Sequence, residues 1–182
     1  HVTSLRRRKR RYASFFRFSG ERKNPSSTCA FIPSFRMKVL VSACLLGVAC
    51  RHDGQSKFCP AVTAQLSGHE LVPVCPEQLG GLPTPRPACE WQQGRIKTRG
   101  GEDCTDAFLR GAQEALRLYH LLGCEAAILK ARSPSCGKGI IYDGTFTGTL
   151  VSGNGLLAQM MLDEGIPVYT EDEVEMPKEA AE

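Results

Sequence analysis

The stretch Met37-Lys-Val-Leu-Val-Ser-Ala-Cys-Leu-Leu-Gly47 decides how the rest of the chain is read. Lys38 to Val41 is a short, β-branched run without polar alternation, the pattern of a strand buried on both faces. Cys44 lies three residues beyond Val41.

Working outward from this strand, short β-type runs alternate with helical ones. Ala61 to Ser67 reads as a short helix, and His69 to Val74 as a second β-rich run that ends at Cys75. Residues 76–102 hold Pro76, Gly80, Gly81, Pro83, Pro85, Pro87, Gly94, Gly100 and Gly101, too many breakers for regular structure. An ordered loop of that length is expected to serve an active site. Phe108, Ala112, Ala115, Leu116, Tyr119 and Leu122 fall at helical spacings, with Asp103 as N-cap and Gly123 as stop. Ala126 to Lys130 reads as a third strand, and Ile140 to Val151 as a hairpin turning at Asp143-Gly144. Leu156 to Leu162 is the last helix and Ile166 to Tyr169 the last strand, after which the tail from Glu171 is acidic and expected to fray.

Strand, helix, strand repeated in this way implies right-handed crossovers. The expected fold is therefore α/β: a Rossmann-like, mainly parallel sheet with helices on both faces, plus a β-hairpin and a long Pro/Gly-rich loop. One domain is expected over 37–171, with an acidic tail over 172–182.

The net charge of +4 hides two unlike parts. Residues 1–36 contain ten Lys/Arg against the single acid Glu21, whereas the remainder carries 13 basic and 18 acidic residues, a net of −5. The leader has no helical or strand period and is expected to be disordered. Arg17 interrupts its one apolar cluster, so it is unlike a secretory signal. A transit peptide or an RNA-binding arm would suit its composition, but Met37 stands immediately before the first strand, and upstream coding sequence or an added leader is the preferred reading. No run approaches the roughly 20 apolar residues of a membrane span.

Nine cysteines is an odd number in a chain without an export signal, which argues against a disulfide framework and for a reducing cytoplasm. No C-x-x-C pair occurs, so zinc-knuckle and thioredoxin signatures are missing. Yet Cys44, Cys75 and Cys136 each follow a predicted strand, and the carboxyl ends of parallel strands form the edge where such folds bind ligands. A single buried cysteine is usually a small hydrophobe. Three at one rim point instead to zinc or to an iron-sulfur cluster with one iron left open. Of the four histidines only His52 is near a candidate cysteine, which weakens zinc.

The blocks Ser42-Ala-Cys-Leu-Leu-Gly47 with Cys50-Arg-His-Asp-Gly54, Val74-Cys-Pro-Glu77 with Gly80-Gly-Leu-Pro-Thr-Pro-Arg86, and Ser133-Pro-Ser-Cys-Gly137 resemble the thiouracil desulfurase family of bacterial iron-sulfur proteins. The likeness runs from Met37 to about Glu171 and omits the leader. It implies a 4Fe-4S cluster held by Cys44, Cys75 and Cys136, whose fourth iron takes the substrate's sulfur. Water then attacks the activated carbon without net redox change, giving uracil and sulfide. A thiocarbonyl sulfur is soft, which suits iron better than a hard metal.

Glu77, two residues from a cluster cysteine, is the candidate for activating water or moving protons; an ordinary loop carboxylate or cap is the plainer alternative. Glu70 lies too far back along its strand. Ser133 could hydrogen-bond the pyrimidine or the water, or simply hold a turn. Thr84 and Arg86 are candidates for the substrate's polar edge, although Arg86 could equally pair with Asp103. Cys50 is the best substitute if one of the three ligands is wrong; Cys59, Cys104 and Cys124 are expected to be inert, and Cys89 an exposed loop thiol. Ser152-Gly-Asn-Gly155 resembles half of a phosphate loop but reads more simply as a turn before a helix.

Desulfuration competes with two other classes. A persulfide-carrying sulfur transferase needs one reactive thiolate and no metal, and a zinc-stabilised RNA-binding module needs a basic face that the core's −5 does not supply. Free thiouracil and thiolated uridine in tRNA share the reacting group, and the acidic core favours the small thiolated base. No obligate protein partner is evident.

Overall fold

The computed structural model describes residues 36–174. The expected leader, and the tail beyond Val174, lie outside the described residues. In chain order the elements are β1 (Lys38–Ser42), α1 (Pro60–Gln65), β2 (Glu70–Val74), α2 (Pro76–Leu79), β3 (Cys89–Gln92), β4 (Arg95–Thr98), α3 (Thr105–Leu121), β5 (Ala126–Leu129), β6 (Ile140–Tyr142), β7 (Leu150–Ser152), α4 (Leu156–Asp163) and β8 (Val168–Thr170).

Four strands form one parallel sheet in the order β2-β1-β5-β8. Leu40 and Leu129 point to the face packed by Ala112, Ala115 and Leu116 of α3 and by Leu157, Ala158 and Met161 of α4. Val39, Val41 and Ile128 alternate to the other face and are equally free of solvent. The sheet is thus buried on both sides, which is why β1 and β5 read as continuous apolar runs. The α/β fold expected from the alternation is the one found.

Residues 76–102 correct the expectation of an irregular loop. Pro76 is the first residue of α2, where its missing N–H would have had no helical partner, so it starts a helix rather than breaking one. β3 and β4 form an antiparallel hairpin closed by Gln93 (φ 50°) and Gly94 (φ 78°), a two-residue turn with both residues left-handed. The breakers mark element boundaries.

The β6–β7 hairpin is present, but residues 143–149 connect it instead of a two-residue Asp-Gly turn. The Asp143 carboxylate accepts hydrogen bonds from the Thr145 N–H and hydroxyl, bending the chain outward into a longer loop. Asp103 does not occupy the cap position of α3, which falls to Cys104; its carboxylate still accepts from the Thr105 N–H at 2.9 Å. Nor does the chain fray from Glu171: Glu171–Glu173 form a 3₁₀ turn whose acids pair with Lys130, Arg132 and Lys138.

Candidate cysteine-lined active site

At the carboxyl edge of the sheet lies a cavity of about 540 Å³, within the ~300–1,000 Å³ usual for small-molecule sites. Parallel strands deliver their ends to it: Ser42 at the end of β1 and Cys44 beyond it, Cys75 after β2, Lys130, Ser133 and Cys136 after β5. All three cysteines expected at the rim line this one cavity, and Cys50 joins them. Cys50 is buried, with its thiol in hydrogen-bonding reach of those of Cys44 and Cys75. The Cys75 thiol also donates to the Cys50 carbonyl at 3.6 Å.

Local backbone explains how each thiol is held. Gly47, left-handed at φ 95°, ends the 3₁₀ turn Ala43–Leu46 that carries Cys44. Cys75 caps α2, and α2 is pressed against α3 through two glycines: a β-carbon on Gly111 would stand 1.8 Å from the Pro76 carbonyl oxygen, and one on Gly80 2.0 Å from that of Ala107. Cys136 sits in a turn in which the Ser133 hydroxyl accepts from the N–H groups of Ser135 and Cys136, both at 3.1 Å. Gly137 is needed to close this turn: its N–H donates to the Ser133 carbonyl at 2.8 Å, and a β-carbon on it would stand 2.8 Å from that same oxygen. Ser42, absent from the candidates drawn from the sequence, binds the far side: its hydroxyl accepts from the Lys130 N–H at 2.9 Å and is in reach of the Cys136 thiol.

Electrostatically the thiols oppose one another's ionisation. Burial pushes the Cys136 thiol up to about 12, with Cys75 and Glu77 adding to the rise while the Ser42 and Ser133 hydroxyls oppose it. Cys75 is raised chiefly by its hydrogen bond with Cys50, then by burial, and Cys50 chiefly by its hydrogen bond with Cys44. Around them the wall is basic: Arg51, Lys57, Arg86, Arg99, Lys130 and Arg132 against Glu77 and Glu90. The acidic balance of residues 37–182 is therefore reversed locally.

Glu77, in the first turn of α2, lines the cavity and is ion-paired to Arg86 at 2.6 Å. Arg86 also donates to the carbonyls of Cys50 and Pro83, both at 3.1 Å, and to the Thr84 hydroxyl at 3.2 Å. Most of its donors are thus consumed by the protein. Thr84 does not line the cavity; its hydroxyl accepts from Arg86 and Gln78. The alternative pairing of Arg86 with Asp103 is not found, because Asp103 is taken by Arg95 at 2.6 Å. Glu70 pairs with Lys38 at the opposite end of the strands. His52 reaches the cavity wall, whereas His69 accepts from the Met37 N–H and His120 pairs with Glu164.

One cysteine departs from expectation. Cys89 is a half-buried residue of β3 on the cavity wall rather than an exposed loop thiol, and Cys104 is its hydrogen-bonding neighbour. The glycine-rich turn before α4 offers no anion site, since the first N–H groups of the helix donate to the carbonyls of Pro134 and Ser135.

Several soft donors therefore share one cavity, in which adding a cation would relieve the cost of ionising them. Among the described residues no three His, Cys, Asp or Glu side chains gather tightly enough for a single metal ion. Cys44, Cys50, Cys75, Cys89 and Cys136 line the cavity, and a donor set of thiols suits a sulfur-loving metal centre.

The family described as 2-thiouracil desulfurase matches residues 39–173. The chain belongs to this family. The chain is 36% identical over 146 residues to the Bacillus subtilis (strain 168) protein YbbK, covering 75% of this chain and 97% of YbbK. It is also similar to a solved structure of the 4Fe-4S-dependent thiouracil desulfidase TudS, with 43% identity and a TM-score of 0.72, covering 76% of this chain and 93% of that one. The matched segment contains every cavity cysteine.

Proposed function

We propose that this protein removes sulfur from a thiolated pyrimidine of the 2-thiouracil type, releasing uracil and sulfide, with a 4Fe-4S cluster held by Cys44, Cys75 and Cys136. The observation that carries this is the convergence of those three thiols, from the ends of three parallel strands, on one cavity within the family-matched segment. When bound, a cluster with one iron free of protein ligands supplies a soft Lewis-acid site for a thiocarbonyl sulfur.

The chain's own residues supply the rest. Glu77 is fixed through Oε2 by Arg86, which leaves Oε1 uncommitted among the described residues to take a proton from water and return it to the departing sulfur. The Ser133 hydroxyl accepts two backbone N–H groups and is in reach of the Cys136 thiol; its own proton would turn from that thiol to the substrate's ring or to the attacking water. Arg86 is a positioning residue for Glu77, and Thr84 supports Arg86. Cys50 stands beside the ligand set as a fourth thiol.

A persulfide carrier would need a thiol biased toward thiolate, whereas Cys50, Cys75 and Cys136 are all shifted the other way. The test is iron, sulfide and zinc content of the full chain after anaerobic reconstitution, together with sulfide release from 2-thiouracil. About four irons and four sulfides are expected, lost in Cys44→Ser, Cys75→Ser and Cys136→Ser and kept in Cys50→Ser. Stoichiometric zinc, or turnover that survives those three substitutions, would overturn the assignment.

A further inference from the structure

Three described residues other than glycine have a left-handed backbone: Gln93, Arg132 and Phe146. The hairpin turn accounts for Gln93. Arg132 (φ 62°) stands at the corner leading from β5 into the Ser133–Cys136 turn, so its conformation belongs to the site already described. Phe146 (φ 57°) has no such account, and a left-handed aromatic residue is a steric outlier. It lines the cavity from the loop over 143–149.

The protein invests in keeping it there. The Phe146 N–H donates to Glu90 Oε2 at 2.9 Å and its carbonyl accepts from Arg99 Nη2 at 3.1 Å. The Arg99 guanidinium also lies over the ring, 5.4 Å from its centroid. Glu90 is on β3 and Arg99 directly follows β4, so both are remote in sequence, and both share the cavity wall. Behind the loop, the Gln92 amide donates to the Gly144 carbonyl at 2.7 Å. Gly144 itself is so close to β3 that a β-carbon on it would stand 2.2 Å from the Trp91 carbonyl oxygen. Within the loop the hydroxyls of Thr145, Thr147 and Thr149 bond in series. A strained phenylalanine is thus immobilised on a cavity wall that also includes Tyr142, His52, Pro76 and Pro134 beside its thiols and charges, and among these rings Phe146 is the one set in place by a left-handed backbone.

We propose that Phe146, clamped by Glu90 and Arg99, is the stacking platform for the substrate's pyrimidine ring and sets which thiolated heterocycles the cavity accepts. The inference rests on the cavity being the desulfuration site. Base–aromatic stacking is strong enough that its loss weakens binding about tenfold or more.

The test uses the full chain, reconstituted anaerobically, as wild type, Phe146→Leu, Phe146→Gly and Phe146→Tyr. Phe146→Leu keeps an apolar side chain without a π face, and Phe146→Gly removes both the ring and the backbone strain. Both are expected to raise KM for 2-thiouracil about tenfold or more with kcat little changed and iron content intact, while Phe146→Tyr stays near wild type. Uracil binding gives a readout independent of turnover. Trp91 is the sole tryptophan, and its indole donates to the Pro134 carbonyl in the cavity wall, so its fluorescence reports ligand entry. Leucine or glycine variants with wild-type KM and wild-type uracil affinity would overturn the platform. A wild type that binds uracil in a Phe146-dependent way but neither loads iron nor releases sulfide would instead leave the platform standing and overturn the desulfuration reading.

Discussion

Arg86 holds Glu77 from a nearly solvent-free position, donating from Nε to Oε2 at 2.6 Å with its side chain only 4% exposed against 17% for the carboxylate. The same guanidinium reaches the Cys50 carbonyl, so one side chain fixes both the candidate proton carrier and the segment beside Cys44. A lysine cannot reproduce this, because its ammonium lacks the planar fork that serves carboxylate and carbonyls together.

The two partners should therefore fail differently. Arg86→Ala leaves a half-buried carboxylate unpaired and should destabilise by about 1–3 kcal/mol. Glu77→Gln keeps an oxygen that Arg86 can still bond, so its melting temperature should stay close to wild type while sulfide release falls by about 10²–10⁴-fold. Thermal unfolding and turnover measured side by side check this. Unimpaired turnover in Glu77→Gln would remove Glu77 from the chemistry.

Gly111 bears on the same site from a distance. A methyl group there collides with the Pro76 carbonyl, so Gly111→Ala must push α2 away from α3 and carry Cys75 and Glu77 with it. Ala ordinarily stabilises a helix interior by up to ~1 kcal/mol over Gly, so a loss of stability would run against propensity. The expected outcome is lower stability and reduced iron loading, read by urea unfolding and iron analysis. A more stable, fully loaded variant would mean that the helices part without cost.

Alkali should act through the thiols. Burial first, and then the charge of Cys104, push the Cys89 thiol up to about 12 in the folded protein, against about 8.5 in an unfolded chain. The folded state therefore holds its proton where the unfolded state releases it. Stability from this group is complete below about pH 8.5 and lost as pH rises from there toward 12. For the metal-free, reduced protein the contribution of Cys89 should have fallen by about 1 kcal/mol at pH 9.5, and Cys89→Ser should remove that share of the alkaline loss. Urea midpoints from pH 7 to 10.5 decide it.

The sheet was legible because β1 and β5 are buried on both faces and so leave an uninterrupted apolar signature. The cysteine rim followed from it, since placing a strand end also places the residue beyond it. What stayed hidden depends on contacts between remote segments. Nothing near Phe146 announces that Glu90 and Arg99 will close on it, and Gly111 looks like a flaw in a helix until α2 is laid across it. Pro76 misled for a local reason: a breaker inside a helix is a starter at its first turn. Ser42 escaped notice because a polar residue closing a buried strand looks like its end rather than a strut to Lys130.

Ser133 allows the two roles open to it to be separated. As an acceptor it ties the N–H groups of Ser135 and Cys136, and as a donor it is in reach of the Cys136 thiol and of the cavity. Ser133→Ala removes both, costing roughly 0.5–2 kcal/mol for the lost turn bonds, in line with other side-chain caps of backbone N–H groups. Ser133→Thr keeps the hydroxyl in both roles and should restore the turn. If the hydroxyl only shapes the Cys136 turn, sulfide release per bound iron should be the same in Ser133→Ala as in wild type, and the whole defect should appear as poorer cluster retention. If it also serves the substrate, turnover per iron should fall in Ser133→Ala and recover in Ser133→Thr. The second outcome is expected, because the hydroxyl lines the cavity, where its proton can turn from the Cys136 thiol to a bound ring.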